Sequence, residues 1–269
     1  MIKKLTTYFC SVLILITSIL SYVYIDQERY ILKQQTLPLN HQFNFDSPFK
    51  ELNFLHPNGT TTNALYFKAK EPKGVVLYLH GRGGNLATYW GYLYGDFTER
   101  GYDLLMIDYR GFGKSQGVPS ETVFFEDAEI AYTYLLSLYP EEQITVYGIS
   151  LGTGIATHLA SEHQPRLLIL EAPYYSMLDL IPRSAIWLPA FVAPFILRYP
   201  LRTDQWIEKV TSPIHLFHGK EDALIPYHSS LRLLPHIKSP HALTTIEQGT
   251  HNFLSRHPEF QQKLSELLP

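Results

Sequence analysis

The sequence predicts an α/β fold, a mostly parallel central sheet flanked by helices. Three observations lead there. Short apolar runs without polar alternation recur along the chain, as strands buried on both faces require. Segments with helical spacing separate several of these runs, the pattern of parallel βαβ units. Polar, glycine-containing stretches follow directly on the runs, at the carboxyl ends of the expected strands, where such sheets build their sites. The 269 residues suit one large domain, and 45% hydrophobic against 17% charged residues describes a globular chain with a sizeable core. A net charge of −3 with no basic stripe gives no basis for a nucleic-acid partner.

Taken in order, the first element differs in kind from the rest. Lys3 and Lys4 precede Leu5–Ile25, 21 residues without a charged side chain, and charge returns at Asp26, Glu28 and Arg29. At a helical rise of about 1.5 Å this stretch covers roughly 30 Å, the hydrocarbon thickness of a bilayer. No alanine precedes Ala64, so a small-residue cleavage site of the Ala-x-Ala kind is lacking. Residues 1–26 therefore read as an uncleaved signal anchor, a transmembrane helix that makes the membrane a partner. Its lysines favour a cytoplasmic N-terminus with the remaining chain on the extracytoplasmic side. Secretion after cleavage is the alternative. Cys10, the one cysteine, lies in this segment, which leaves no disulfide within the chain and no cysteine-built zinc site.

Residues 27–50 read as a polar connector and 51–269 as the main domain, opening with an antiparallel hairpin. The runs Val75–Leu79, Asp103–Ile107, Ile144–Tyr147, Leu167–Leu170, Ile214–Phe217 and Ala242–Ile246 are the expected core strands. Val123–Leu138 and Leu151–Glu162 are expected helices. An insertion at about 174–203 carries Pro182, Pro189, Pro194 and Pro200 around the apolar stretch Ile186–Leu197. Those 12 residues are too few to span a bilayer, so a small apolar cap is expected, with a buried helix or a membrane-touching patch as alternatives.

The most informative turn is Gly148-Ile149-Ser150-Leu151-Gly152, which joins a β-branched strand to a helix and matches the G-x-S-x-G nucleophile elbow. A serine on so tight a turn needs neighbours without side-chain bulk, and Gly148 and Gly152 provide them. Leu151 would open the helix with its backbone N–H directed at an oxyanion bonded to Ser150, assisted by the helix dipole. A bland alternative is an ordinary turn with a serine N-cap. A serine hydroxyl also needs a base within hydrogen-bond reach. Gly249-Thr250-His251-Asn252 follows the last strand and would return His251 to the same sheet edge. The base in turn needs an acceptor for its second N–H. Asp222, in the loop after the strand ending at Phe217, is the choice, with Glu221 its neighbouring competitor. A second oxyanion donor is expected from His80-Gly81-Arg82-Gly83-Gly84, where Gly81 and Gly83 let the backbone approach closely and the Arg82 N–H would donate.

Over roughly residues 50–269 the chain resembles the α/β-hydrolase superfamily, in which the triad runs in the order serine, acid, histidine, here Ser150, Asp222, His251. Within it, His80-Gly81-Arg82-Gly83-Gly84-Asn85 together with Asp108-Tyr109-Arg110-Gly111-Phe112-Gly113-Lys114-Ser115 is similar to the membrane-anchored α/β-hydrolase-domain group, which includes protein depalmitoylases and lysophospholipases. The resemblance implies a serine hydrolase of acyl esters or thioesters, lipids among them, that needs no cofactor. It also makes the cap the place where specificity is set, with Trp187 and Phe191 as candidate substrate contacts. A serine peptidase of the same fold and a catalytically silent binding protein are the alternatives. Other chemistries lack their anchors. Gly113-Lys114-Ser115 has Asp108 where a phosphate loop needs glycine, no H-E-x-x-H supports a metal, and a dehalogenase would want aspartate in place of Ser150.

Overall fold

The structure, a computed structural model, describes residues 2–184 and 191–269. In chain order its elements are α1 (Ile2–Ile31), β1 (Phe49–Leu55), β2 (Thr61–Phe67), β3 (Gly74–Leu79), α2 (Gly95–Thr98), β4 (Tyr102–Asp108), α3 (Glu121–Leu136) and β5 (Ile144–Ile149). Then follow α4 (Leu151–Glu162), β6 (Leu167–Glu171), α5 (Met177–Ser184), α6 (Ala193–Ile196), α7 (Thr203–Trp206), β7 (Ile214–Gly219), α8 (His228–Leu233), β8 (His241–Ile246) and α9 (Pro258–Leu267).

Among the described residues these strands form one eight-stranded sheet in the order β1-β2-β4-β3-β5-β6-β7-β8. β1 pairs antiparallel with β2 and β2 with β4, while every later pairing is parallel. Each expected core strand is present, its ends within a residue or two of the apolar run. The reason is burial on both faces. Val75, Leu77, Val146, Leu168 and Leu170 pack with Ile155 and Leu159 of α4 on one side. The alternate residues Val76, Tyr78, Tyr147, Ile169 and Phe217 pack with Phe97 of α2 and Phe260 of α9 on the other. A chain so arranged exposes the carboxyl ends of β3, β5, β7 and β8 along one sheet edge, and the four polar loops identified from sequence leave from there.

α1 is apolar and long enough to cross a membrane, with Thr6–Ile31 the candidate span and none of its most apolar window buried. Its last turns change character, for they grip the body of the protein. Gln27 is buried; its Nε2 donates to the Ile196 carbonyl (3.0 Å) and its Oε1 accepts from the Arg198 N–H (2.8 Å). Glu28 pairs with Arg198 (2.5 Å) and accepts from the Tyr199 hydroxyl (3.1 Å).

These contacts show where the described part of the insertion packs. Its α6 faces the end of α1, Tyr199 is buried with its hydroxyl on the Pro119 carbonyl (2.8 Å), and α7 packs on α4. Trp187 lies outside the described residues. Phe191 is 76% exposed.

Candidate active site

Ser150 stands where β5 turns into α4, with φ 50° and ψ −115°. That is backbone a side chain-bearing residue seldom adopts, and its cost is met by the surroundings. The Ser150 N–H donates to the Glu171 carbonyl (2.9 Å), and its own carbonyl accepts from the Thr153 N–H (3.0 Å) and hydroxyl (2.6 Å). The flanking glycines are required by contact. A Cβ on Gly148 would meet the Gly152 carbonyl and Ala156, and one on Gly152 would run into the Leu79 and His80 carbonyls. The turn therefore projects the Ser150 side chain over the sheet edge while Leu151 opens a helix whose first N–H groups have no partner four residues back.

His251 meets it from the loop after β8. The Ser150 hydroxyl donates to His251 Nε2 at 3.0 Å, and His251 Nδ1–H donates to Asp222 Oδ2 at 2.7 Å. Asp222 is fully enclosed, and its second oxygen accepts from the Leu224 N–H (2.9 Å) and the Ile225 N–H (2.8 Å). His218, itself buried, lies with Nε2 2.9 Å from the Ile225 carbonyl and 3.4 Å from Asp222 Oδ2, and its Nδ1 accepts from Ser230 (2.7 Å). Burial alone would push the Asp222 carboxyl up, but the hydrogen bonds from His218 and His251 outweigh it and hold it well below the usual carboxylate range. Glu221, the competitor from the same loop, lines the cleft rather than contacting His251 Nδ1.

The loop after β3 completes the near wall. Gly81 approaches so closely that a Cβ there would sit 3.3 Å from Ser150 Cβ. Gly83 and Gly84 take positive φ (79° and 65°), which makes this loop a glycine's place. Several groups hold it, and to two of them, Trp90 and Asp108, sequence reasoning gave no part in this. Trp90 Nε1 donates to the Gly83 carbonyl (2.8 Å), and the Asp108 carboxylate accepts from the Leu86 N–H (3.1 Å). The His80 ring is wholly buried, with Nδ1 donating to the Gly81 carbonyl (2.7 Å) and Nε2 3.4 Å from Asp108. The sequence signal for Asp108 was its position at a strand end; Trp90 had none.

A cleft of about 1170 Å³ opens at Ser150 and His251. Arg82, Lys33, Leu224 and Phe253 line its outer part, and Trp90, Leu93, Phe97, Tyr147 and Glu171 its inner part, between the sheet and α2 and α9. Glu171 is buried and takes the Tyr147 hydroxyl as donor. Burial pushes its carboxyl up to about 7, against the lowering effect of that hydrogen bond, with Asp96 adding to the rise. Phe191 does not line this cleft, and no described residue of the 174–203 insertion does. The cleft lies on the side of the sheet that carries α2 and α9, and the described part of the insertion packs on the end of α1 and on α4. No group of metal-ligating side chains gathers among the described residues.

Comparison with known proteins places the chain. The serine aminopeptidase S33 family profile matches residues 70–209, just over half of the chain. The lysophosphatidylserine lipase ABHD12 of Xenopus tropicalis is 28% identical over 223 residues, 72% of this chain and 57% of that protein. The alpha/beta hydrolase domain-containing protein 17C of the same organism is 30% identical over 200 residues, 72% of this chain and 61% of that one. The chain spans about half the length of the curated relatives it matches. Among solved structures, the Pyrococcus furiosus esterase Pf2001 superimposes with a TM-score of 0.72 at 19% identity, covering 88% of this chain and 96% of that one. That likeness is one of fold.

Proposed function

The chain belongs to the serine aminopeptidase S33 family, within the α/β-hydrolase fold, and from that premise we propose that it is a membrane-anchored serine hydrolase of lipid acyl esters. The observation that carries the reading is the relay of 3.0 Å from Ser150 Oγ to His251 Nε2 and 2.7 Å from His251 Nδ1 to Asp222. A serine hydroxyl in that setting loses its proton to the imidazole as it attacks, and the buried carboxylate stabilises the imidazolium. The name of one relative, a lysophosphatidylserine lipase, supports an ester over an amide and a lysophospholipid as the first substrate to try. A thioester is open to the same chemistry.

In this mechanism Ser150 Oγ bonds to the acyl carbon as His251 Nε2 takes its proton. The backbone N–H groups of Leu151 and Arg82 receive the oxyanion. Collapse breaks the carbon–oxygen bond to the alcohol, which leaves with the proton from His251. Water then gives a proton to His251 and its oxygen to the acyl carbon, and the return of that proton to Ser150 releases the acid. Phe97, Leu93 and Trp90 offer the apolar wall an acyl chain needs. The candidate span α1 supports membrane attachment, and Lys3 and Lys4 favour an extracytoplasmic catalytic domain.

The test uses the full chain in detergent micelles, with lysophospholipids and p-nitrophenyl esters of increasing acyl length. Aminoacyl p-nitroanilides stand beside them because of the family's name. Ester turnover and fluorophosphonate labelling that both vanish in Ser150→Ala are expected. Faster cleavage of the anilides would replace the lipase reading with a peptidase, and labelling that survives Ser150→Ala would remove Ser150 as nucleophile.

A further inference from the structure

The segment that leaves α1 does not run free to the domain. There is no linker between helix and segment, because the Leu32 N–H still donates to the Glu28 carbonyl (2.8 Å). The chain then turns at Lys33, φ 49°, and lies along the loop that approaches Ser150. The Leu32 carbonyl accepts from the Gly83 N–H (2.8 Å), and Gln34 pairs in parallel with Gly84. The Gln35 carbonyl accepts from both Asn85 Nδ2 (3.1 Å) and the Gly113 N–H (2.8 Å), and the Leu37 N–H donates to the Gly113 carbonyl (2.7 Å). The Leu32 side chain is wholly buried in the core and seats the segment.

We propose that Leu32–Leu37 is a positioning element of the catalytic centre, a strap that holds the Gly81–Gly84 loop against Ser150 and joins its placement to the end of the anchor helix. The inference rests on the reading of Arg82 as an oxyanion donor. Its physical ground is the composition of the loop. Gly81, Gly83 and Gly84 are needed for close approach and for positive φ, yet glycine gives a loop the least rigidity of its own. An oxyanion donor helps only when it is fixed before the charge appears, and a misplacement of about 1 Å costs on the order of 10²-fold in rate. Trp90 and Asp108 brace the loop from the body, and the strap braces it at Gly83 and Asn85. The anchor's own last turns are clamped by Ile196, Arg198 and Tyr199, so the strap starts from a fixed point.

The test compares full-length protein, Leu32→Asn and the conservative Leu32→Ile in detergent micelles. Unseating the strap is expected to lower kcat about 10–100-fold with KM within about twofold, and Leu32→Ile is expected to restore it. Affinity for an alkyl trifluoromethyl ketone, which forms the tetrahedral oxyanion, should fall in step with kcat. Affinity for the matching methyl ketone should not. A general loss of fold would lower both. Amide exchange supplies a readout that needs no turnover: Gly83 and Gly113 should exchange slowly in the native protein and quickly in Leu32→Asn. Rapid exchange at Gly83 in the native protein would overturn the strap, and fast exchange in Leu32→Asn with kcat unchanged would overturn its catalytic role. A native protein with slow Gly83 exchange but neither ester turnover nor fluorophosphonate labelling would overturn the hydrolase reading, and the positioning role with it, while leaving the docked strap standing.

Discussion

Two buried carboxyls on neighbouring strand ends are pushed in opposite directions, and the difference is what surrounds each. Asp222 takes four donors' worth of attention from His251, His218, Leu224 and Ile225, so its anion is favoured. Glu171 is enclosed, and its burial outweighs the hydrogen bond it takes from the Tyr147 hydroxyl while the nearby Asp96 adds to the cost, so its anion is disfavoured. The signs for stability follow. Asp222, lowered on folding, stabilises the fold above the ordinary carboxylate value, and that contribution is lost as pH falls through its depressed folded value. Glu171, raised to about 7, stays protonated while the unfolded chain ionises, so stability falls from the ordinary carboxylate value up to that pH and then levels off. Glu171→Gln should therefore melt higher than the native protein at pH 8, by an amount on the order of 1–3 kcal/mol, and the gap should close near pH 4. Melting curves across that range decide it; a gap independent of pH would assign the effect to packing. At the triad, Asp222→Asn keeps the shape but offers Nδ1 the wrong partner, and kcat should drop about 10³–10⁴-fold with the fold intact by circular dichroism. A drop under tenfold would remove Asp222 from the relay.

Among elements, the elbow is where local geometry leaves least freedom. A methyl at Gly152 would enter the space of the Leu79 carbonyl, so β3 and α4 would have to separate. Gly152→Ala should cost at least about 2 kcal/mol, read as a lowered melting temperature in both the native and the Ser150→Ala backgrounds. An unchanged melting temperature would mean that the sheet yields there. This element was legible in the sequence because its demands fall on residue types: β-branched strand, glycine, serine, glycine, helix. The parallel strands were legible for a similar reason, since burial on both faces leaves an unbroken apolar run such as Leu167–Leu170. The strap was not. Lys33-Gln34-Gln35-Thr36 reads as a solvated connector, and its bonds are made largely by main-chain atoms, which leave no mark on composition. Glu171 was equally silent, a single acid at the end of an apolar run. The insertion was legible only in part, because proline and apolar residues announce a compact cap without saying which surface it covers. The contacts of Gln27 and Glu28 with Ile196, Arg198 and Tyr199 place its described part beside the end of α1.

Across the molecule, those same contacts fix where the apolar surface lies. α1 carries exposed Tyr22, Tyr24 and Ile25 up to the turn where Gln27 grips α6, and α6 holds Phe195 84% exposed beside it. Phe191 adds a second exposed ring on the same segment. Single exposed apolar residues need no explanation, but rings adjoining a candidate span do, since the span's end marks the depth of the bilayer surface. With α1 in a bilayer, Phe195 would stand at that surface and share in holding the body close to it. A substrate dissolved in the membrane must then travel only from the lipid to the cleft mouth at Phe253 and Leu224. Phe195→Ser should lower the rate on an ester held in vesicles several-fold, because burial of one aromatic ring is worth roughly 1.5–3 kcal/mol. The same variant should cleave a water-soluble short-chain ester at the native rate. Equal rates on both substrates would place Phe195 away from the bilayer. A loss on both would mean that the α1–α6 clasp, rather than the lipid contact, is what Phe195 maintains.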